Sequence, residues 1–225
     1  MTTKLIKTLK SELINAADLS RAPSMEAYMK HLFSYYGVSS PKRKKIVSSL
    51  WQSYKDEIKA DLINLVRTLW KEEKRELQYV AMDLLGRCQK QIITEDLVTM
   101  EYLIISKSWW DTVDFLAANP VGHILKENPE LKYQKSKEFI KSGNMWLQRT
   151  SLLFQLKYKD AVDEHLLYQN IMNLTGSKEF FINKAIGWSL RQYSKYNPKS
   201  VRRFIDENQA ALANLSVREG SKYLK

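Results

Sequence analysis

The sequence predicts an all-α fold, an α-solenoid in which helical hairpins stack one upon the next. Nearly every segment places apolar residues at helical spacing, and none alternates apolar and polar residues over the length of a strand. Seven Gly and five Pro in 225 residues are too few for a β-sandwich with many tight turns. One domain over residues 1–225, built from about six hairpins, is therefore expected. Short breaks separate the candidate helices, at Pro23, Pro41, Asn119-Pro120, Pro129, Gly143, Gly176 and Pro198.

The N-terminal part of the chain supplies an amphipathic helix and then a basic helix start. The stretch MTTKLIKTLKSELINAADL has helical periodicity and lacks the apolar core of a signal peptide. After Pro41, the run PKRKK opens a helix that carries Arg43, Lys44 and Lys45. These cations form either a solvated helix start or contacts to the phosphates of a nucleic acid. No later run approaches the roughly 18 apolar residues of a membrane span.

The later helices share a period of 35 residues. Four segments align: ELQYVAMDLL, WDTVDFLAAN, WLQRTSLLFQ and FINKAIGWSL. At equivalent positions, 35 residues apart, they carry Tyr79, Asp114, Arg149 and Lys184, which we call the 35-residue column. Equivalent positions of a solenoid line up along one face, so the column is expected on a concave face.

A basic stripe with a tryptophan continues from the last member of the column. Lys184, Trp188, Arg191 and Lys195 follow i, i+4, i+7 and i+11 on one helix face. Trp110 likewise lies one turn before Asp114 on the same face. Three cations in one stripe do not suit a packed core, but they suit a groove that binds a polyanion.

The overall charge agrees with that interpretation. The chain has 36 Lys and Arg against 25 Asp and Glu, a formal net charge of +11, which favours nucleic acid over an anionic membrane surface as the partner. The lone Cys88 suits a reducing cytosol and is expected to be a small buried hydrophobe. The three histidines lack the spacing of metal ligands, so no metal site is expected.

Two aspartates stand beside adjacent tryptophans in SKSWWDTVD. Asp111 has a structural explanation, because Ser108 is expected as the N-cap with Asp111 three residues later in a capping box. Asp114 lies one turn further into the helix. It is either one half of an interhelical salt bridge to Arg149 or a functional carboxylate. Trp109, Trp51, Trp70 and Trp146 are expected to serve packing, since they sit on apolar helix stripes.

A carboxylate flanked by indoles suits the cleavage of a glycosidic bond. Such cleavage passes through an oxocarbenium-like state with positive charge on the sugar ring. A nearby carboxylate stabilises that charge and can orient or deprotonate an attacking water. A departing base that is already cationic needs little or no general acid, which fits one aspartate rather than a pair.

The same residues resemble the AlkD-type DNA alkylation repair proteins, HEAT-like-repeat glycosylases for alkylated purines. The resemblance covers essentially the whole chain, and its longest stretches are SKSWWDTVD, NMWLQRTSLLFQLKYK and SKEFFINKAIGWSLRQY. It implies that Asp114 is the catalytic carboxylate and that Trp110 and Trp188 are paired aromatics at the lesion. It also implies that Arg149 contacts a DNA phosphate and that Tyr28, in MEAYM, lies on the DNA-facing surface.

The resemblance further implies hydrolysis of N3- and N7-alkylated purines in duplex DNA, such as 3-methyladenine and 7-methylguanine and also bulky adducts, without base flipping. DNA contacts are then expected from Lys184, Arg191, Lys195, Arg43, Lys44 and Lys45. The expected enzyme is a cytoplasmic monomer, nucleoid-associated in a prokaryote, that needs neither metal nor organic cofactor. Two alternatives remain open: a non-catalytic protein that binds damaged or branched DNA, and a protein–protein scaffold with an acidic partner.

Overall fold

The chain folds into helices throughout the part that the structure describes. The computed structural model describes residues 2–224, with side chains from residue 4 onwards. In this range α-helices are joined by short loops and brief 3₁₀ or π segments, and there is no β-strand. The all-α fold is confirmed, and the helix order is consistent with an α-solenoid. The chain divides into two compact units, residues 1–99 and 100–225, so a single domain stays a prediction.

The first unit begins with the amphipathic helix expected from the sequence. Its helices are α1 (Thr2–Asn15), α2 (Ala22–Tyr28), α3 (Ser40–Ala60), α4 (Leu62–Lys71) and α5 (Arg75–Arg87), and α6 (Leu97–Ile105) runs across the boundary. Helix α3 has Pro41 in its first turn, where a missing N–H costs nothing. Buried Glu76 accepts the backbone N–H groups of Tyr36, Gly37 and Val38 and so fixes the loop before α3. Gly37 adopts φ +84°, and a Cβ there would lie 2.0 Å from the Asp18 carbonyl oxygen.

The second unit carries the residues of main interest. Its helices are α7 (Trp110–Leu116), α8 (Gly122–Glu127), α9 (Pro129–Lys141), α10 (Met145–Leu153), α11 (Glu164–Asn173), α12 (Phe180–Tyr193), α13 (Pro198–Glu207) and α14 (Asn214–Gly220). A π-helical segment, Ala117–Val121, joins α7 to α8 and contains Pro120. The Asn119 side-chain amide donates to the Phe115 carbonyl within this irregular turn, where Pro120 has no N–H to offer.

The 35-residue period is visible in the helix starts. Helices α5, α7, α10 and α12 begin at Arg75, Trp110, Met145 and Phe180, each 35 residues after the one before. Within the second unit, α7 packs against α10, α10 against α12 and α12 against α14. Column residues of neighbouring repeats are therefore brought side by side on successive helices.

The core of the second unit forms along the apolar stripes of these helices. Leu153, Ile186, Leu190 and Val201 are fully buried together, and Trp188 packs against them from a partly exposed position. Burying each such aliphatic side chain stabilises the fold by about 1.5–3 kcal/mol before entropy losses. Trp70 is buried in the first unit, at 1% exposure, as the packing prediction requires.

The start of α7 differs from the prediction. Trp109, not Ser108, is the N-cap residue, with an extended backbone and no side-chain capping bond. The Ser108 hydroxyl instead donates to the Ile104 carbonyl at 2.6 Å. That carbonyl lies in the last turn of α6, where the helix offers no partner, so the serine satisfies the end of one helix rather than the start of the next. The predicted capping box is wrong, although Asp111 does lie in the first turn of α7.

Candidate active site and nucleic-acid interface

Asp114 and Arg149 form a bidentate ion pair between α7 and α10. Arg149 Nε lies 2.7 Å from Asp114 Oδ1, and Arg149 Nη2 lies 2.9 Å from Asp114 Oδ2. The Arg149 side chain is 4% exposed and the Asp114 side chain 14%, so the pair is largely shielded from water. Paired parallel bonds of this kind fix the plane of the carboxylate as well as its position. The interhelical salt bridge that the sequence left as one alternative is thus present.

Arg149 is held from a third side as well. Its remaining terminal nitrogen, Nη1, donates to the backbone carbonyl of Phe181 at the start of α12. The guanidinium therefore ties three successive helices of the 35-residue period together. With its side chain only 4% exposed, its donors point at protein groups rather than at the surface.

The Asp114 carboxyl lies in an environment that opposes its ionisation. Burial raises the pKa of Asp114 above its ordinary value, and the negative charge of Asp111 raises this pKa further. The hydrogen bonds and positive charge of Arg149 act in the opposite direction without cancelling the effect of burial. A buried carboxylate with a raised pKa is a stronger base than a solvated one, a property common at catalytic sites.

An aromatic cluster lies at the N-terminal ends of the three helices. Trp109, Trp146 and Phe181 have ring centroids 5.8 Å apart for the two tryptophans and 5.1 Å for each tryptophan with the phenylalanine. These side chains come from the start of α7, α10 and α12 in turn. The packing roles expected for Trp109 and Trp146 are confirmed by these contacts. The cluster joins the same three helices that Arg149 connects through Asp114 and the Phe181 carbonyl.

The two tryptophans predicted at the lesion flank this arrangement. Trp110 is the first residue of α7, one turn before Asp114, and is half-buried. Trp188 lies in the middle of α12, half-buried against the core. Their joint contact with a sugar stays a prediction.

Lys184 and Arg191 share a carboxylate that the sequence reasoning missed. Glu219 on α14 lies 3.0 Å from Lys184 Nζ and 2.6 Å from Arg191 Nη1, and it also pairs with Lys222 at 2.9 Å. Hydrogen bonds from Lys222 and Lys184 lower the pKa of Glu219 to about 2. Glu219 is 35 residues after Lys184, so one more step of the period reaches it.

The other predicted DNA contacts lie on exposed surface or beside acidic groups. Lys195 on α12 is exposed, with its ammonium 2.9 Å from Gln192 Oε1. In the first unit Tyr28 is 69% exposed, and Lys44 and Lys45 are exposed near the start of α3. Arg43 is instead paired with Asp83 at 2.9 Å and stacks over the Tyr79 ring at 5.0 Å. Their contacts with DNA stay predictions.

Two features were not found among the described residues, a cluster of metal-ligating side chains and a membrane-spanning helix. Among residues 2–224, no three His, Cys, Asp or Glu side chains gather closely enough to hold a metal ion. In the same range no helix has both the length and the apolarity to cross a bilayer.

Two of the three comparisons with known proteins point to the same family. The family model described as "DNA alkylation repair enzyme" matches residues 9–224. A solved structure described as a predicted DNA alkylation repair enzyme from Enterococcus faecalis is similar to this chain, with a TM-score of 0.84 and 34% sequence identity. The match covers 92% of this chain and 96% of that one. A search of curated proteins found no significant match.

Proposed function

Because the chain belongs to the DNA alkylation repair enzyme family, we propose that it is a DNA glycosylase that hydrolyses the N-glycosidic bond of cationic alkylpurines. The preferred substrates are N3- and N7-alkylated purines in duplex DNA, including 3-methyladenine, 7-methylguanine and bulky adducts. The observation that carries the proposal is the largely shielded Asp114 carboxylate, oriented by Arg149 at 2.7 and 2.9 Å and preceded by Trp110 on the same helix face.

Asp114 is assigned two roles in the reaction. As the bond from C1′ to the base nitrogen lengthens, its electron pair moves onto the base and neutralises the positive charge there. Positive charge grows on the deoxyribose, and the carboxylate stabilises it in a site with little water. Water then forms the new bond to C1′ and loses a proton, for which the raised pKa of Asp114 makes it a suitable acceptor. The products are a neutral free purine and an abasic site.

Arg149 is assigned an orienting role. Its three hydrogen bonds go to Asp114 and to the Phe181 carbonyl, and its side chain is 4% exposed. This geometry favours orientation of the carboxylate over the direct phosphate contact that the family resemblance implies. The orientation matters because a displaced carboxylate loses much of its effect on a charge that develops at one atom.

The tryptophans and surface cations supply the DNA contacts. Trp110 and Trp188 present indole faces to the sugar and backbone at the lesion, where a flat electron-rich ring attracts developing positive charge. Contacts to backbone phosphates come from Tyr28, Arg43, Lys44, Lys45, Lys184, Arg191 and Lys195. Such contacts give affinity without sequence preference, which suits an enzyme that searches any sequence. No base pocket is needed, since the departing purine carries its own charge.

The deciding experiment is base release from methylated duplex DNA by the wild type, Asp114→Asn and Asp111→Asn. The two variants make the same change of charge and shape three residues apart, so Asp111→Asn is the matched control. We expect the wild type and Asp111→Asn to release 7-methylguanine and 3-methyladenine. Asp114→Asn should be slower by at least about 100-fold while still binding duplex, because removal of one electrostatic stabiliser commonly costs that much.

The other outcomes separate the alternatives. Duplex binding without base release by any of the three proteins overturns the glycosylase and leaves a damage-binding protein. Equal release by all three keeps the enzyme but removes Asp114 from its chemistry, leaving the ion pair with Arg149 as a structural tie. A lack of both binding and release points to a protein–protein scaffold.

A further inference from the structure

Glu219 occupies the next position of the 35-residue column, on the helix that closes the second unit. Its side chain is buried, with 4% exposure, and both carboxylate oxygens are in use. Oε1 faces Lys184 and Lys222, and Oε2 faces Arg191. Three cations meet one carboxylate, so this cluster, Lys184, Arg191, Lys222 and Glu219, keeps a local charge of about +2.

Two of those cations stand on either side of Trp188. Lys184 is one turn before Trp188 on α12, and Arg191 is one turn after it. Their side chains are 37% and 24% exposed, so each keeps a face toward solvent while the other face is held by Glu219. The carboxylate therefore limits the rotamers of two long basic side chains that otherwise move freely in water.

Helix α14 is held tightly against α12 at the same place. A Cβ at Gly187 would lie 2.5 Å from Glu219 Cβ and 2.9 Å from the Ser216 carbonyl oxygen, so only glycine allows this approach. The buried Ser216 hydroxyl donates to the Asn183 carbonyl at 2.8 Å. Glu219 thus reaches Lys184 and Arg191 from a fixed backbone, beside the residue that precedes Trp188.

We propose that Glu219 is a positioning residue that holds Lys184 and Arg191 at the spacing needed to grip the DNA backbone on both sides of Trp188. The proposal rests on the phosphate contacts that the proposed function assigns to these two cations. A carboxylate at a DNA-binding surface repels phosphate, so its presence beside two such cations requires a compensating effect. Preorganisation of both cations is that effect, because fewer rotamers must be frozen when the phosphates arrive.

The test measures how the affinity for an unmodified duplex of about 20 base pairs depends on salt. Each phosphate contact contributes about 0.9 to the slope of log K against log salt concentration. Glu219→Asp keeps the net charge but withdraws the carboxylate by one methylene. We expect its slope to be shallower by about 1 to 2, the loss of one or both contacts. Its affinity at low salt should fall about tenfold.

Two further variants separate position from charge. Lys222→Ala removes the third cation, which lies outside α12, and should leave the slope unchanged. Glu219→Gln raises the net charge by one, so simple attraction predicts tighter binding, whereas positioning predicts weaker binding and a shallower slope. Glu219→Gln also carries the comparison if Glu219→Asp does not fold. Thermal unfolding of every variant under the binding conditions establishes that the folded protein is being compared.

The proposal is overturned if both Glu219 variants have the same slope of log K against log salt concentration as the wild type. It is also overturned if the slope of Lys222→Ala becomes as shallow as that of the Glu219 variants. The unmodified duplex requires no catalysis, so the result is independent of base release. If the wild type releases no base but the Glu219 variants show the expected shallower slope, the proposed glycosylase activity is overturned and the role of Glu219 is supported. If the wild type releases base and the Glu219 variants keep its slope, the glycosylase activity is supported and the role of Glu219 is overturned.

Discussion

Protonation of Glu219 at low pH should measurably lower the free energy of unfolding of this protein. Its pKa is lowered from 4.5 to about 2 by the hydrogen bonds of Lys222 and Lys184. A carboxyl with a depressed pKa in the folded state contributes stability that is complete above its unfolded pKa and disappears as the pH falls through the folded one. With about 1.36 kcal/mol for each pKa unit, the whole contribution is about 3 kcal/mol. That pKa already includes the desolvation of the buried carboxylate, which acts in the opposite direction to the hydrogen bonds.

The expected loss over an accessible pH range follows from the same two values. Between pH 7 and about 3.5, linkage gives a loss of about 1–2 kcal/mol from this carboxyl alone. Glu219→Gln lacks the ionisable group and cannot show that loss. The difference in free energy of unfolding between wild type and Glu219→Gln should therefore be smaller by about 1–2 kcal/mol at pH 3.5 than at pH 7.

Urea unfolding followed by tryptophan fluorescence measures this difference, since urea leaves the ionic strength unchanged. With an m-value of about 3 kcal/mol/M, this loss corresponds to a change of about 0.5 M in the separation of the two midpoints. A separation that stays constant from pH 7 to 3.5 would refute the reasoning. It would mean that Glu219 titrates as an ordinary carboxyl and that its three ion pairs are weak in solution.

Two more predictions concern packing and the ion pair of the candidate site. Gly187→Ala should destabilise the fold by about 1–3 kcal/mol in urea unfolding. The new Cβ would lie 2.5 Å from Glu219 Cβ and force α12 and α14 apart. An unchanged unfolding midpoint would contradict that close approach. The acid limb of the base-release rate should lie above pH 3.8, because burial raises the pKa of Asp114, and Arg149→Met should move the limb to still higher pH by removing the hydrogen bonds and charge that favour ionisation. A limb that moves to lower pH in Arg149→Met would show that Asp114 is not the group that titrates.

The helical part of the fold could be predicted because its signals are local or strictly periodic. Helix starts at Arg75, Trp110, Met145 and Phe180 follow the 35-residue spacing that the sequence displays. The start of α7 was predicted incorrectly, since the hydroxyl of Ser108 had two possible partners one helix apart. The local sequence does not determine whether such a serine caps the start of the next helix or donates to an unpaired carbonyl at the end of the preceding one.

The Asp114–Arg149 ion pair could be predicted as one of two alternatives, but the further partners of the column residues could not. The column places Asp114 and Arg149 in adjacent repeats, and the structure joins them by two hydrogen bonds. The Phe181 carbonyl could not be predicted as the third partner, because every backbone carbonyl looks alike in a sequence. Glu219 was within reach of the same reasoning, since it lies 35 residues beyond Lys184.

The pairings distinguish Asp114 from Glu219 as the candidate base of the proposed reaction. Asp114 faces one arginine, and its pKa stays raised because burial outweighs that partner. Glu219 faces three cations, and its pKa is lowered to about 2. A carboxylate that weakly basic accepts no proton from water near neutral pH, whereas one with a raised pKa is closer to the value that general-base catalysis requires. In the proposed mechanism, the column thus has two separate tasks: Glu219 positions cations beside Trp188, and Asp114 keeps the basicity that hydrolysis needs.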